Sequence, residues 1–118
     1  MSMIEEAKIT DIWRIIESKL HENGEPYQDL TATYGFQLID HDDHNMWQLV
    51  FEDGNVHIFD HHQNEANCTL KMKEKNFRKF LLGDLNSTTA FMTGKLKVEG
   101  NIGLALKLEG LLKQYKFS

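Results

Sequence analysis

Apolar residues return every three or four positions along the first part of the chain. Ile9, Ile12, Trp13, Ile16 and Leu20 form one stripe, with Arg14, Glu17 and Lys19 off it, and this spacing predicts an amphipathic helix. Ser2 or Thr10 is its expected cap, and Asn23-Gly24 with Pro26 close behind is a stop signal. The period then falls to two. Ala32, Tyr34, Phe36 and Leu38 alternate with Thr33, Gly35 and Gln37, and Trp47, Leu49 and Phe51 alternate with Gln48, Val50 and Glu52. Asp53-Gly54 is a pair that tolerates the positive φ of a tight primed turn, so Val56 and Ile58 continue as a third strand of an antiparallel meander.

A polar stretch from His61 to Ala66 leads to a fourth strand, in which Cys68, Leu70 and Met72 alternate with polar residues. Alternation of this kind gives each strand one buried and one wetter face. Helical spacing returns at Glu74–Leu82 and stops at Gly83. Asn86 or Ser87 caps a short helix through Phe91 and Met92 that ends at Gly94; Leu96 and Val98 mark a fifth strand; a last helix runs from about Asn101 to Gln114. The pattern predicts an α/β (α+β) fold with one sheet of about five strands and helices over one face. Nothing marks a linker or repeat, so residues 1–118 are expected to form one domain.

The last helix departs from a simple amphipathic pattern. On a projection of ~100° per residue, Leu104, Ala105, Leu108, Leu111, Leu112 and Tyr115 share one broad face, while Ile102 and Leu106 fall outside it, on the side of Glu109 and Lys113. Gly103 and Gly110 lie within the helix at a cost of about 1 kcal/mol each relative to alanine, which the close approach of a backbone or ligand would offset. A well-buried terminal helix, a dimer interface and one wall of a ligand tunnel all fit this pattern.

Composition narrows the function classes. The net charge is −5, and the basic clusters at Lys71–Lys79 and Lys95–Lys97 are short and interrupted, so nucleic acid is not an expected partner. Cys68 is the single cysteine, which excludes an intrachain disulfide and favours a reducing compartment. Met1–Lys8 lacks the basic and apolar regions of a signal peptide, and no apolar run approaches ~18 residues. A cytoplasmic protein is the expectation.

The run Phe91-Met92-Thr93-Gly94-Lys95-Leu96-Lys97-Val98-Glu99-Gly100-Asn101-Ile102-Gly103-Leu104-Ala105-Leu106-Lys107-Leu108 resembles the C-terminal hallmark of the sterol carrier protein-2 family. Ala66–Leu70 and Phe77–Asn86 resemble the strand, helix and loop that precede it, and the likeness spans about Leu30 to Leu112. The resemblance implies a mixed, mainly antiparallel five-stranded sheet and an apolar tunnel between sheet and helices. That tunnel would take fatty acids, fatty acyl groups or sterol-like lipids. Expected tunnel-lining residues are Phe80, Phe91, Met92, Leu104, Leu108, Leu111 and Leu112, with Tyr34 and Phe36 facing them from the sheet. Thr93 stands where the family commonly has glutamine, which bears on head-group preference.

An apolar lipid is therefore the expected partner, with transient membrane contact and a homodimer as further partners, no cofactor and no catalytic residue. The competing reading is a non-catalytic interaction or dimerisation module that uses the C-terminal helix. Burial of each methylene contributes about 0.8 kcal/mol, offset by association and ordering costs, so roughly micromolar binding is expected. Asp40, His41, Asp42, Asp43 and His44 sit at one predicted loop, and Asp60, His61 and His62 at another on the same end of the sheet. Their side chains suit Zn²⁺ or Ni²⁺, but no ligand spacing is fixed, so they are read as solvated loops with no metal. No nucleophile elbow, phosphate-binding glycine loop or His-Glu-x-x-His helix is present. Ser87, Thr88 and Thr89 read as helix capping, and Cys68, Trp13 and Trp47 as core.

Overall fold

Strand pairing in the computed structural model, which describes residues 3–117, follows the period-two segments closely. In chain order the elements are α1 (Met3–Glu6), α2 (Ile9–Glu22), a 3-10 turn (Glu25–Tyr27), β1 (Ala32–Leu38), β2 (Met46–Glu52) and β3 (Asn55–Phe59). There follow β4 (Cys68–Met72), α3 (Glu74–Leu82), α4 (Ser87–Met92), β5 (Leu96–Gly100) and α5 (Ile102–Leu112). The strand order is β3-β2-β1-β4-β5. β1 and β4 run parallel; every other pair is antiparallel.

Residues directly opposite in register share a face. Tyr34 stands between Leu49 and Cys68, and Phe36 between Trp47 and Leu70, while Leu49 faces Ile58 and Leu70 faces Val98. This face carries the core and the helices. At the meander's second turn Asp53 and Gly54 have φ of 51° and 77°, the successive positive angles of a primed turn. The α2 stripe Ile9, Ile12, Trp13, Ile16 and Leu20 is buried as its spacing predicts. Its N-cap is Lys8 without a side-chain bond; Thr10 lies inside the helix, and Ser2 lies outside the described residues.

The parallel seam requires a crossover from β3 to β4, usually a helix of a dozen residues or more. Here residues 60–67 do it as a loop. Gln48, fully buried on the sheet's other face, secures it. Its amide donates to Asn64 O at 2.7 Å and its Oε1 accepts from the N–H groups of Gln63 and Asn64 at 3.0 and 2.9 Å. At the end of β5, Gly100 has φ +92°, and a Cβ there would lie 2.4 Å from Asn67 O, so only glycine fits.

The Asp/His loops take part in this framework. Asp40 Oδ1 accepts from Glu74 N at 3.0 Å, supplying the cap that α3 lacks from its own N-cap residue. His41 Nε2 meets Glu74 Oε1 at 2.7 Å, and Arg78 forks onto Glu74 Oε2 at 2.8 and 3.0 Å while donating to Ile4 O. Burial pushes the Glu74 carboxyl up, but Arg78 and His41 outweigh it and hold the group below its ordinary value. At the second loop, the hydrogen bond from His61 is the main cause lowering Asp60, with a smaller contribution from His44 across the sheet end. Among the described residues, no group of three or more His, Cys, Asp or Glu side chains is arranged to hold a metal ion.

Candidate functional site

The packing loosens where α4, β5 and α5 meet. Asn86 caps α4, its Oδ1 accepting from Thr89 N at 2.9 Å, and Asn101 caps α5 in the same way through Leu104 N at 3.3 Å. Between the two helices lies a groove of about 150 Å³ lined by Ser87, Thr88, Phe91, Leu96, Val98, Ile102, Ala105 and Leu106. Six of these eight are apolar. Ligand pockets usually measure about 300–1,000 Å³, so a long-chain guest requires the groove to widen.

Phe91 also borders a second, open cleft of about 770 Å³ with Ile39, Leu96, Val98, Lys71 and Lys97. Among the described residues, the large hydrophobic side chains that remain exposed are Ile39, Phe91, Met92, Ile102 and Leu106, with Met92 79% exposed. Four of them lie on α4 or α5. Exposed lysines 95, 97 and 107 share this region. Charge is divided along the chain in the same sense. Residues 86–118 carry five Lys and two Glu, whereas residues 1–85 carry eight Lys or Arg against sixteen Asp or Glu.

The structure places the residues named from sequence at different depths. Phe91 borders the groove. Met92 is exposed and Leu104 half-buried beside the core. Tyr34, Phe36, Phe80, Leu108, Leu111 and Leu112 are buried in the core cluster behind it. The Tyr34 hydroxyl donates to Leu104 O at 2.9 Å, tying β1 to α5, and burial raises its pKa. Cys68, also buried on this face, is pushed up to about 11 by burial. Thr93 does not point a free hydroxyl at a ligand: its Oγ1 donates to Thr89 O at 2.9 Å within its own helix end.

Ser87, Thr88, Leu96, Val98, Ile102, Ala105 and Leu106 were not among the expected lining residues, and of those expected only Phe91 borders this groove. Ile102 and Leu106 were visible as the apolar pair outside the main arc of α5, and that arc now accounts for them: one face meets the core, the other borders the groove. Asn86 and Ser87 were both expected as the cap of α4, and Asn86 performs that role. No backbone of the described chain approaches the α5 glycines: a Cβ at Gly110 would meet nothing within 4 Å, and at Gly103 only the capping Asn101 Oδ1 at 3.1 Å.

The profile of the SCP-2 sterol transfer family matches residues 14–113. The chain belongs to this family. It is 31% identical over 106 residues to sterol carrier protein 2 of Homo sapiens, an alignment covering 87% of this chain and 19% of that protein. The chain thus spans about a fifth of the length of this relative. Its fold matches the sterol carrier protein domain 2 of Helicoverpa armigera, with a TM-score of 0.74 at 24% identity over 90% of this chain and 86% of that one. It also matches sterol carrier protein-2 of Aedes aegypti in complex with palmitate, with a TM-score of 0.62 at 18% identity over 86% and 94% of the two chains. The mixed five-stranded sheet with helices on one face is the fold of these domains. No described helix is long and apolar enough to cross a membrane.

Proposed function

We propose that residues 1–118 act as a single non-catalytic lipid-binding domain, which takes up an apolar lipid through the α4–α5 groove and carries it reversibly with roughly micromolar affinity. The observation that carries this reading is an apolar groove opening beside an otherwise closely packed core. Phe91 stands at its edge, with Met92 and Leu104 flanking; Leu108, Leu111, Leu112, Phe80, Tyr34 and Phe36 form the deeper wall into which the groove extends when a long chain enters. Membership of the SCP-2 sterol transfer family and the palmitate complex of the Aedes aegypti protein support a lipid as the guest. A cytoplasmic setting fits the single buried thiol.

Loading takes place during transient contact with an anionic bilayer. Phe91, Met92, Ile102 and Leu106 supply apolar anchors, and Lys95, Lys97 and Lys107 supply charge worth about 1 kcal/mol each near an anionic surface. The exposed Ile102 and Leu106 would equally suit a partner helix, so the test separates the two. Mass spectrometry of an organic extract of the purified protein is expected to find co-purified lipid, and Ala105→Trp, which fills the groove, should weaken fluorescent-lipid binding at least tenfold. Met92→Asp should reduce co-sedimentation with phosphatidylserine-containing vesicles. Absence of lipid, together with a tight dimer that Leu106→Asp dissociates, overturns the carrier reading in favour of an interaction module.

A further inference from the structure

The groove has one polar end, and its chemistry is specific. Ser87 borders the groove, is 2% exposed, and its hydroxyl makes no close hydrogen bond, although it helps to stabilise the Glu109 carboxylate. Buried hydroxyls are ordinarily partnered, because burial without a partner is unfavourable. Of the other hydroxyls near the site, Tyr34 donates to Leu104 O and Thr93 to Thr89 O, and Thr88, which also borders the groove, is exposed and open to water. Next to Ser87 lies Glu109, whose side chain is 11% exposed. Its Oε1 accepts from Ser87 N at 3.2 Å and its Oε2 faces Lys113 Nζ at 3.4 Å. Burial pushes this carboxyl up, but its contacts with Ser87 and Lys113 hold it below the ordinary value, so it is ionised at neutral pH.

Resting on the lipid-binding reading above, we propose that the Ser87–Glu109 pair selects lipids whose head group donates a hydrogen bond, a long-chain alcohol or amine, over the ionised carboxylate of a free fatty acid. An alcohol oxygen accepts from the Ser87 hydroxyl, turned away from the Glu109 carboxylate that it helps to stabilise, while the alcohol's own O–H donates in its place to an oxygen of the pair. An ammonium group meets the Glu109 charge directly. A carboxylate can accept from the Ser87 hydroxyl but brings its charge beside the mostly buried Glu109 carboxylate, where like charges repel more strongly than in bulk solvent. Lys113 is 57% exposed, so water screens much of its compensating charge.

The test is displacement of Nile red, a neutral probe, by dodecanol, dodecylamine and laurate at pH 7.5. The ratio of laurate to dodecanol affinities, compared between variants, cancels the different tendencies of the two compounds to leave water. Glu109→Gln is expected to raise that ratio roughly tenfold. Ser87→Ala should weaken dodecanol severalfold. Lys113→Ala, a surface change that leaves the groove walls in place, should lower the ratio by exposing the Glu109 charge. A ratio unchanged in both Glu109→Gln and Lys113→Ala overturns the head-group selection while leaving lipid binding intact. If none of the three compounds displaces Nile red from the wild-type protein, both the selection and the lipid-binding reading fall.

Discussion

The two ends of the sheet are packed on different principles. Over β1–β3 the core is aromatic: Trp13 lies 5.3 Å from the rings of both Phe36 and Phe77 and 5.9 Å from Trp47, and Tyr27 lies 5.2 Å from Phe51. Large rigid rings in contact leave little freedom to rearrange. Over β4–β5 the facing side chains are Cys68, Leu70, Met72, Leu96 and Val98, with a groove of about 150 Å³ bordered by Leu96, Val98 and Ala105 and with Phe91 and Leu106 half out in solvent. Small aliphatic residues separate at modest cost and close again in a different arrangement. The contrast teaches that the stability of this protein is concentrated away from the proposed lipid-binding surface, so that the groove would reshape without melting the sheet.

The sharpest way to break that contrast is Trp13→Ala. Removing the hub of the aromatic cluster is expected to cost about 3–5 kcal/mol, read from chemical denaturation. Phe91→Ala, of comparable size but half-exposed, should cost well under half as much; equal losses would mean that the two regions are not mechanically distinct. A smaller effect comes from pH. The folded Glu74 carboxyl sits below its ordinary value because of Arg78 and His41. Its stabilisation is therefore fully present above the unfolded-state value near ~4.3 and is lost as pH falls through the lower folded value. Glu74→Gln should reduce stability at neutral pH and flatten the acid limb of a stability–pH curve; an unchanged acid limb would refute the role of this cluster. The smallest change sharpens the comparison from the groove side. With open space at Gly110, Gly110→Ala should raise stability by up to about 1 kcal/mol without altering lipid binding, measured by thermal melts and probe displacement together.

The periodic elements were legible because burial repeats along them. The α2 stripe, the Asp53-Gly54 turn and the alternation of β1, β2 and β4 each carry a signal within a few residues. Shorter features escaped: α1 has only four residues, and Pro26, read as part of a stop, opens a 3-10 turn at Glu25–Tyr27. α5 ends at Leu112 rather than near Gln114. The groove was half visible, since Ile102 and Leu106 stood off the main arc of α5, but the side that completes it depends on how α4 approaches across Val98 and Ala105. Nothing in the local sequence distinguishes Ser87 from a capping serine; only the fold shows that Asn86 does the capping and leaves the Ser87 hydroxyl buried. Asp40 and His41 likewise looked like a solvated loop, and their contacts with α3 arise from a register more than thirty residues away.

Helix α5 is held at both ends by phenols. Tyr34 grips the carbonyl of Leu104 in its first turn, and just beyond its last turn Tyr115 donates to the carbonyl of Asn23. Both phenols are shifted upward by burial, Tyr115 to about 12, so neither fastening releases at physiological pH. The six-residue α4 meets α5 through the contact of Ser87 N with Glu109. In mechanical terms α5 is the door frame and α4 the leaf. On the lipid-binding reading proposed above, a guest wider than the resting groove would displace α4 rather than α5.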